Sequence, residues 1–369
     1  MADLGAVDAL LETALADGIG SGMQLAIGDA GTPRYLRAYG RTQRVPTPGE
    51  PVSASTRFDV ASLTKIVATT AVALRLVEAG RLDLDAPVLP LLPELRAGET
   101  RAHKDELSAR HLLEHSGGLH WWQPFFERLG DEADPRAALV RLAAAEPLDA
   151  PPRTRSVYSD LGFILLGALC ERVGGARLDE LARQAVWAPL GMDATGFVDL
   201  RAPAGPATAW ASVVATEICP RRGLVVGAVH DDNAHAAGGV VGHAGVFTTA
   251  SDLSRFAAAY VRSWHGERFP GSFPPELVRA FALPCPVPGS TRSLGWDRPA
   301  TTDSQAGTRW PRVDAVGHGG FTGTSMWLDL ARARWVVLLT NRVHPSRTDE
   351  RMKLLRPQVH DAIVDALDA

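Results

Sequence analysis

The chain has 369 residues, 46% of them hydrophobic and 22% charged, with a formal net charge of -4. That length and balance fit an ordinary soluble globular protein with a large core, in one big domain or two. No long basic run marks a nucleic acid or anionic membrane as partner, and no apolar segment approaches the roughly 20 residues needed to span a bilayer.

Helical spacing over residues 4–18 ends near Gly18. Residues 23–28 and 35–39 flank the turn signal Asp29-Ala30-Gly31 and predict a β-hairpin. After a Pro-rich loop, a helix is expected over 63–79, stopping at Gly80. The middle reads as helical at 108–114, 135–145, 161–173 and 178–186, with 161–167 apolar all round and therefore buried. Residues 323–330 and 335–340 predict a second hairpin, followed by a helix from about Gln358. Loops rich in Pro and Gly fall at 203–206 and 284–289. Strands at both ends around a helical middle imply an α+β fold, one sheet built from distant segments and flanked by helices. The expected organisation is residues 1–70 with 230–369 as an α/β sheet domain, 71–229 as a mostly helical insertion, and the active site between them.

Cys170, Cys219 and Cys285 are odd in number and widely spaced, which fits a reduced compartment. The N-terminus has no basic n-region and no continuous apolar stretch, so a cytoplasmic protein is expected.

Lysine is scarce: Lys65, Lys104 and Lys353 are the three among 38 basic residues. Lys65 heads a long apolar run, and a buried lysine can lose its proton and act as a base where an arginine cannot. Ser62 stands three residues upstream, on the same helical face. A hydroxyl beside such an amine is an activated nucleophile, and its place near a helix start offers N–H groups to an oxyanion.

Tyr158-Ser159-Asp160 immediately precedes the buried helix. It reads either as a helix cap or as a tyrosine held for proton transfer with Asp160 beside it. Gly317-His318-Gly319-Gly320-Phe321 leads into the second hairpin, where glycines let a ligand approach the backbone.

The order Ser62-x-x-Lys65, Tyr158-x-Asp160, His318-x-Gly320 resembles the penicillin-recognising serine hydrolases: class C β-lactamases, low-molecular-weight penicillin-binding proteins, D-aminopeptidases and related carboxylesterases. Residues 112–119 (LLEHSGGL) and 242–253 (GHAGVFTTASDL) are similar to further segments of that family. The resemblance covers nearly the whole chain and implies a β-lactamase/transpeptidase-like fold. It makes Ser62 the nucleophile and lets Lys65 and Tyr158 share its proton. It puts His318 at the third-motif cation, and the N–H groups of Ser62 and Phe321 at the oxyanion. Asp160, Gly319, Gly320 and Phe321 would then bind substrate, which adds an edge strand after His318.

Two departures narrow the expectation. His318 stands where β-lactamases and transpeptidases carry a lysine. Asp160 stands for the usual asparagine, so it lacks an amide donor for a substrate carbonyl and favours the ammonium form of Lys65. Tyr158 then becomes the base, or Lys65 and Asp160 titrate as a pair. Together these features point to a small ester, amide or peptide substrate, with no cofactor. A D,D-peptidase or D-aminopeptidase is the enzymatic rival, and a ligand sensor without turnover is the rival of another class. The sequence carries no sign of oligomeric state. His230, Asp231, Asp232, His235 and His243 match no metal motif, and their loop is expected to wall the cleft. Residues 121–126 (WWQPFF) read as core or as an apolar substrate wall.

Overall fold

The computed structural model describes residues 3–31, 33–98, 102–130, 132–202 and 212–369. The loop read at 203–206 lies outside the described residues. A five-stranded antiparallel sheet runs in the order Pro33–Gly40, Gly22–Asp29, Arg334–Thr340, Ser325–Asp329, Ala315–Gly319. The two predicted hairpins meet at its centre, where Leu25 pairs with Leu338 and Ala26 with Val337.

Alternation along these strands feeds two cores. Met23, Leu25, Ile27, Val336 and Leu338 face the helices Gly5–Ala16 and Met352–Asp368. Ala26, Val337 and Leu339 face the other way, towards Ala250–Trp264 and the rest of the larger core. Cover on both faces explains why the central strands are continuous apolar runs instead of polar–apolar alternations. Fully burying each such side chain stabilises the fold by about 1.5–3 kcal/mol.

The helix Asp160–Gly174 is buried from Leu161 to Cys170 and packs on Pro135–Ala145, Ala71–Glu78 and Leu178–Ala182. A Cβ on its Gly167 would stand 2.9 Å from the Cα of Gly242, so this helix and the 242–245 segment approach at backbone distance. All three cysteines are free and buried. No helix among the described residues is long and apolar enough to cross a membrane.

Several expectations need correction. The helix expected over 63–79 is three pieces: a tight turn Ala61–Leu63, a wide π turn Lys65–Thr70 and the α-helix Ala71–Glu78. The C-terminal helix begins at Met352, ahead of Pro357, because the buried Met352 and Leu355 anchor its first turn on the sheet. Helices Ala250–Trp264 and Pro275–Ala282 were not expected, although Thr249 caps the first by accepting from the Asp252 N–H.

The glycine-rich run at 317–320 is not a loop up to its end: Ala315–Gly319 is the edge strand, with His318 opposite Met326. Gly317 is required there by Trp327, whose indole occupies the space a Cβ would need. Its outer edge is already paired, since Gly317 and Asp297 exchange N–H···O bonds of 2.8 Å. A substrate strand could therefore pair no further back than Gly319.

Candidate active site

The backbone at Ser62 is set by contacts on both sides. Phe58–Asp59 pairs with Val246–Thr248, and the Asp59 carboxylate accepts from the Ala61 N–H at 2.8 Å. That bond holds Ala61 at φ 47°, a left-handed conformation costly for a residue with a side chain. The tight turn and π turn that follow put Ser62 and Lys65 on one face, with the Lys65 side chain fully buried. Wide turns of this kind recur at functional sites.

The 320–324 turn is tied to the same segment. Thr322 Oγ1 donates to Asp59 O (2.7 Å) and Thr324 Oγ1 to Val60 O (3.1 Å). A Cβ on Gly320 would stand 2.6 Å from Val60 O, so only glycine allows this approach. The Phe321 N–H beside it has no acceptor among the described residues.

Lys65 Nζ meets three acceptors: Ser62 Oγ at 3.1 Å, His243 O at 2.9 Å and Asp160 Oδ1 at 2.7 Å. Burial pulls its pKa down, but Asp160 and then Tyr158 pull it up, and the net direction is up. Lys65 is therefore an ammonium, donating to Ser62 Oγ and His243 O and paired in charge with Asp160. Tyr158 OH donates to Ser62 Oγ at 2.7 Å. Burial raises its pKa, with Asp160 adding to the rise and Lys65 opposing it. In the resting site both groups donate to the serine oxygen, and neither is yet a base.

Ser159 and Asp160 divide the roles read for their segment. Ser159 Oγ caps the helix by accepting from Gly162 N–H at 3.1 Å, which leaves Asp160 to Lys65.

His318 is placed otherwise than expected. Its Nδ1 donates to Gly319 O at 2.7 Å, its Nε2 is buried with no partner among the described residues, and its ring lies 5.8 Å from that of Tyr158. Burial, then Lys65 and Arg292, push its pKa down to about 3. The ring is neutral, so it is not the third-motif cation; it backs Tyr158 and does not line the cleft.

His115 is a site residue that sequence reasoning left among the family-like segments. Its carbonyl accepts from Val157 N–H (2.9 Å) and its Nδ1 from Ser159 N–H (3.0 Å), bracketing Tyr158 from both sides. The two rings lie 4.8 Å apart. Burial, then Arg292 and Lys65, hold its pKa well below the usual range, which keeps Nδ1 an acceptor.

A cleft of about 320 Å³ opens at Ser62, Tyr158 and Asp160. Trp121, Trp122 and Phe321 form its apolar walls, whereas Phe125 is fully buried, so the aromatic run divides between wall and core. A second part of the lining is the 230–232 segment with His243 and Arg347, the His230 ring stacked on Phe321 at 5.7 Å. Asn233 ties this part to the aromatic run, accepting from Phe126 N–H (2.8 Å) and donating to Gln123 O (2.8 Å). Among the described residues no three His, Cys, Asp or Glu side chains converge as metal ligands would; those of this loop are engaged pairwise, His230 with Glu217 and His243 with Asp231. A cavity of similar size, about 370 Å³, lies between Leu4, Tyr35 and Leu367 and holds none of the candidate residues.

Residues 7–360 match the Beta-lactamase family. Among similar proteins, esterase EstB of Burkholderia gladioli is 32% identical over 96% of this chain and 94% of its own. An N-acetylmuramyl-L-alanine amidase of Bacillus subtilis (strain 168) is 28% identical over 92% of this chain and 80% of its own. A mutant of the simvastatin synthase LovD from Aspergillus terreus shares the fold at a TM-score of 0.74 and 20% identity, covering 99% of this chain and 98% of that one. The chain thus belongs to the Beta-lactamase family, as a hydrolase with the α+β, β-lactamase/transpeptidase-like fold.

Proposed function

We propose that this hydrolase works through an acyl-enzyme on Ser62 and takes small esters, with small amides second. The observation that carries the reading is the convergence of Lys65 Nζ and Tyr158 OH on Ser62 Oγ. Of the three acceptors around Lys65, only Asp160 can take a proton: the His243 carbonyl cannot hold one, and the serine must lose its own. A proton moves from Lys65 to Asp160 Oδ1, and the freed amine takes the Ser62 proton as Oγ bonds the acyl carbon. The N–H groups of Ser62 and Phe321 meet the oxyanion.

Collapse expels the leaving group, which takes the Tyr158 proton. Tyr158 is refilled from Lys65, and Lys65 from Asp160, so the resting inventory returns. Water then runs the same sequence in reverse to release the acid. Ester preference follows from Asp160, whose carboxylate offers no N–H to an amide carbonyl. A peptidase acting on a C-terminal carboxylate is less well supported, since neutral His318 gives that carboxylate no counter-charge.

The test is hydrolysis of short-chain p-nitrophenyl esters by wild type and Ser62→Ala. Multiple turnovers lost in the variant are expected, with a covalent acyl mass in the wild type alone. Equal rates in the two proteins would remove Ser62 from the chemistry. A single stoichiometric acylation without turnover would favour a ligand sensor instead.

A further inference from the structure

We propose that Arg356 is a positioning residue for the oxyanion site: its buried guanidinium holds and polarises the Gly320–Phe321 peptide, whose N–H is one of the two oxyanion donors. The inference rests on the acyl-enzyme reading of Ser62 and adds a residue to its machinery.

Arg356 lies in the helix Met352–Asp368, is 8% exposed and does not line the cleft. Its Nη1 donates to Gln305 Oε1 at 2.9 Å and its Nη2 to Gly320 O at 3.2 Å, while Nε meets no partner among the described residues. It forms no ion pair with a carboxylate among the described residues; the charge that acts on it is another cation, Arg342. Burial, then Arg342, pull its pKa down to about 10, so it remains charged at neutral pH. A buried charge without a counter-charge costs stability. Its helical neighbours Met352 and Val359 are buried and apolar, and a methionine would suit that face better. A position that breaks the packing rule and reaches a single backbone carbonyl points to function.

That carbonyl belongs to the oxyanion peptide. Gly320 O and Phe321 N–H are opposite ends of one rigid trans unit, so a cation on the oxygen fixes the plane and makes the N–H a stronger donor. Positive charge behind the carbonyl also adds to the potential an oxyanion meets. The rest of the turn is fastened to match: Gly323 N–H donates to Gly320 O (3.0 Å), Gly320 N–H to Thr324 O (2.7 Å) and Arg342 Nε to Phe321 O (2.7 Å). The turn abuts the nucleophile segment, since a Cβ on Gly320 would stand 3.5 Å from that of Ala61, the residue before Ser62. Gly319 makes room for the cation, because a Cβ there would stand 3.1 Å from Arg356 Nη1. The charge is felt on the same strand: behind burial, Lys65 and Arg292, Arg356 helps to keep His318 neutral.

The test compares wild type, Arg356→Met and Arg356→Lys by ester kinetics, thermal melts and inhibition by phenylboronic acid. Boron accepts a lone pair of Ser62 Oγ to form the B–O bond, the serine proton passes to solvent, and the adduct is a tetrahedral anion. Its affinity therefore reports the oxyanion site without turnover. In Arg356→Met, kcat should fall about tenfold with KM little changed, and boronate inhibition should weaken by a similar factor. Its melting temperature should hold or rise, because an unpaired buried charge has gone. Arg356→Lys keeps charge and donor and should recover most of kcat. If the methionine variant fails to fold, Arg356→Gln, a donor without charge, takes its place.

Unchanged kcat and boronate affinity in Arg356→Met overturn the proposal, as does a kcat in Arg356→Lys no higher than in Arg356→Met. A wild type that binds no boronate and turns over no ester sinks the Ser62 reading and this inference with it. Boronate bound by wild type and not by Ser62→Ala upholds that reading, and equal affinity in wild type and Arg356→Met then overturns the role of Arg356 alone.

Discussion

Replacing Asp160 with asparagine removes the carboxylate that pairs with a lysine whose side chain is fully buried. The contact is 2.7 Å and Asp160 is itself only 15% exposed. Removing one partner from a buried pair costs about 3–5 kcal/mol when the other charge stays. The lower end, about 3 kcal/mol, suits a site where asparagine still accepts and His243 O still binds Nζ. Lysine has an escape, since it can shed its proton.

In the wild type the folded pKa of Lys65 is raised, so the stability it contributes is fully present below the unfolded value of about 10.4 and lost only as pH climbs through the folded one. In the variant the order reverses. Burial without a carboxylate puts the folded pKa below the unfolded one, and the penalty is then greatest at low pH. It should shrink by about 1.4 kcal/mol per pH unit between the new folded pKa and about 10.4. Urea unfolding of both proteins at pH 7, 8.5 and 9.5 reads this directly as a stability gap that closes with pH. The same loss of charge frees Lys65 as a base and supplies an amide donor, so the amide-to-ester rate ratio should rise. A gap that is constant across the series would refute the charged pair. An unchanged amide-to-ester ratio would refute its role in substrate choice.

Substitutions at two further positions test the frame around Ser62. His115→Ala leaves the buried Ser159 N–H without its acceptor and puts alanine at φ 55°, with a stability loss of about 1–3 kcal/mol and a fall in ester kcat of about tenfold or more. His115→Asn keeps an acceptor and tolerates that φ, so it should recover most of kcat; equal kcat in the two variants would deny His115 any part in holding Tyr158. Gly320→Ala drives a Cβ to within 2.6 Å of Val60 O and should lower both melting temperature and kcat by separating the Phe321 N–H from Ser62. Thermal melts and ester kinetics on that variant check the expectation, and unaltered kcat would remove Phe321 from the oxyanion site.

What the sequence disclosed about this molecule follows the range of the forces involved. Ser62 and Lys65 are legible because three residues of helical spacing suffice to bring them together, and the buried helix at 161–167 because its apolar character is local. The central hairpins were legible too, through their turn residues. The edge strand Ala315–Gly319 was hidden by its own glycines, since Gly317 answers to Trp327, ten residues further on and across a strand pair. The charge state of His318 depends on burial beside Lys65 and Arg292, which nothing near it in the chain announces. His115 is of the same kind: it acts through a contact with Ser159, 44 residues away.

Proton inventory is thus the property least readable from motif order. The identities of Ser62, Lys65 and Tyr158 say which atoms meet. Whether any of them is a base depends on where Asp160 lands, and it lands 2.7 Å from Nζ because Ser159 takes the helix cap and leaves its neighbour to face the lysine. An asparagine there would have left the ammonium without a counter-charge and the lysine closer to neutral. One carboxylate in place of an amide changes the resting state of the whole cluster, and the amide-to-ester ratio of Asp160→Asn measures how far.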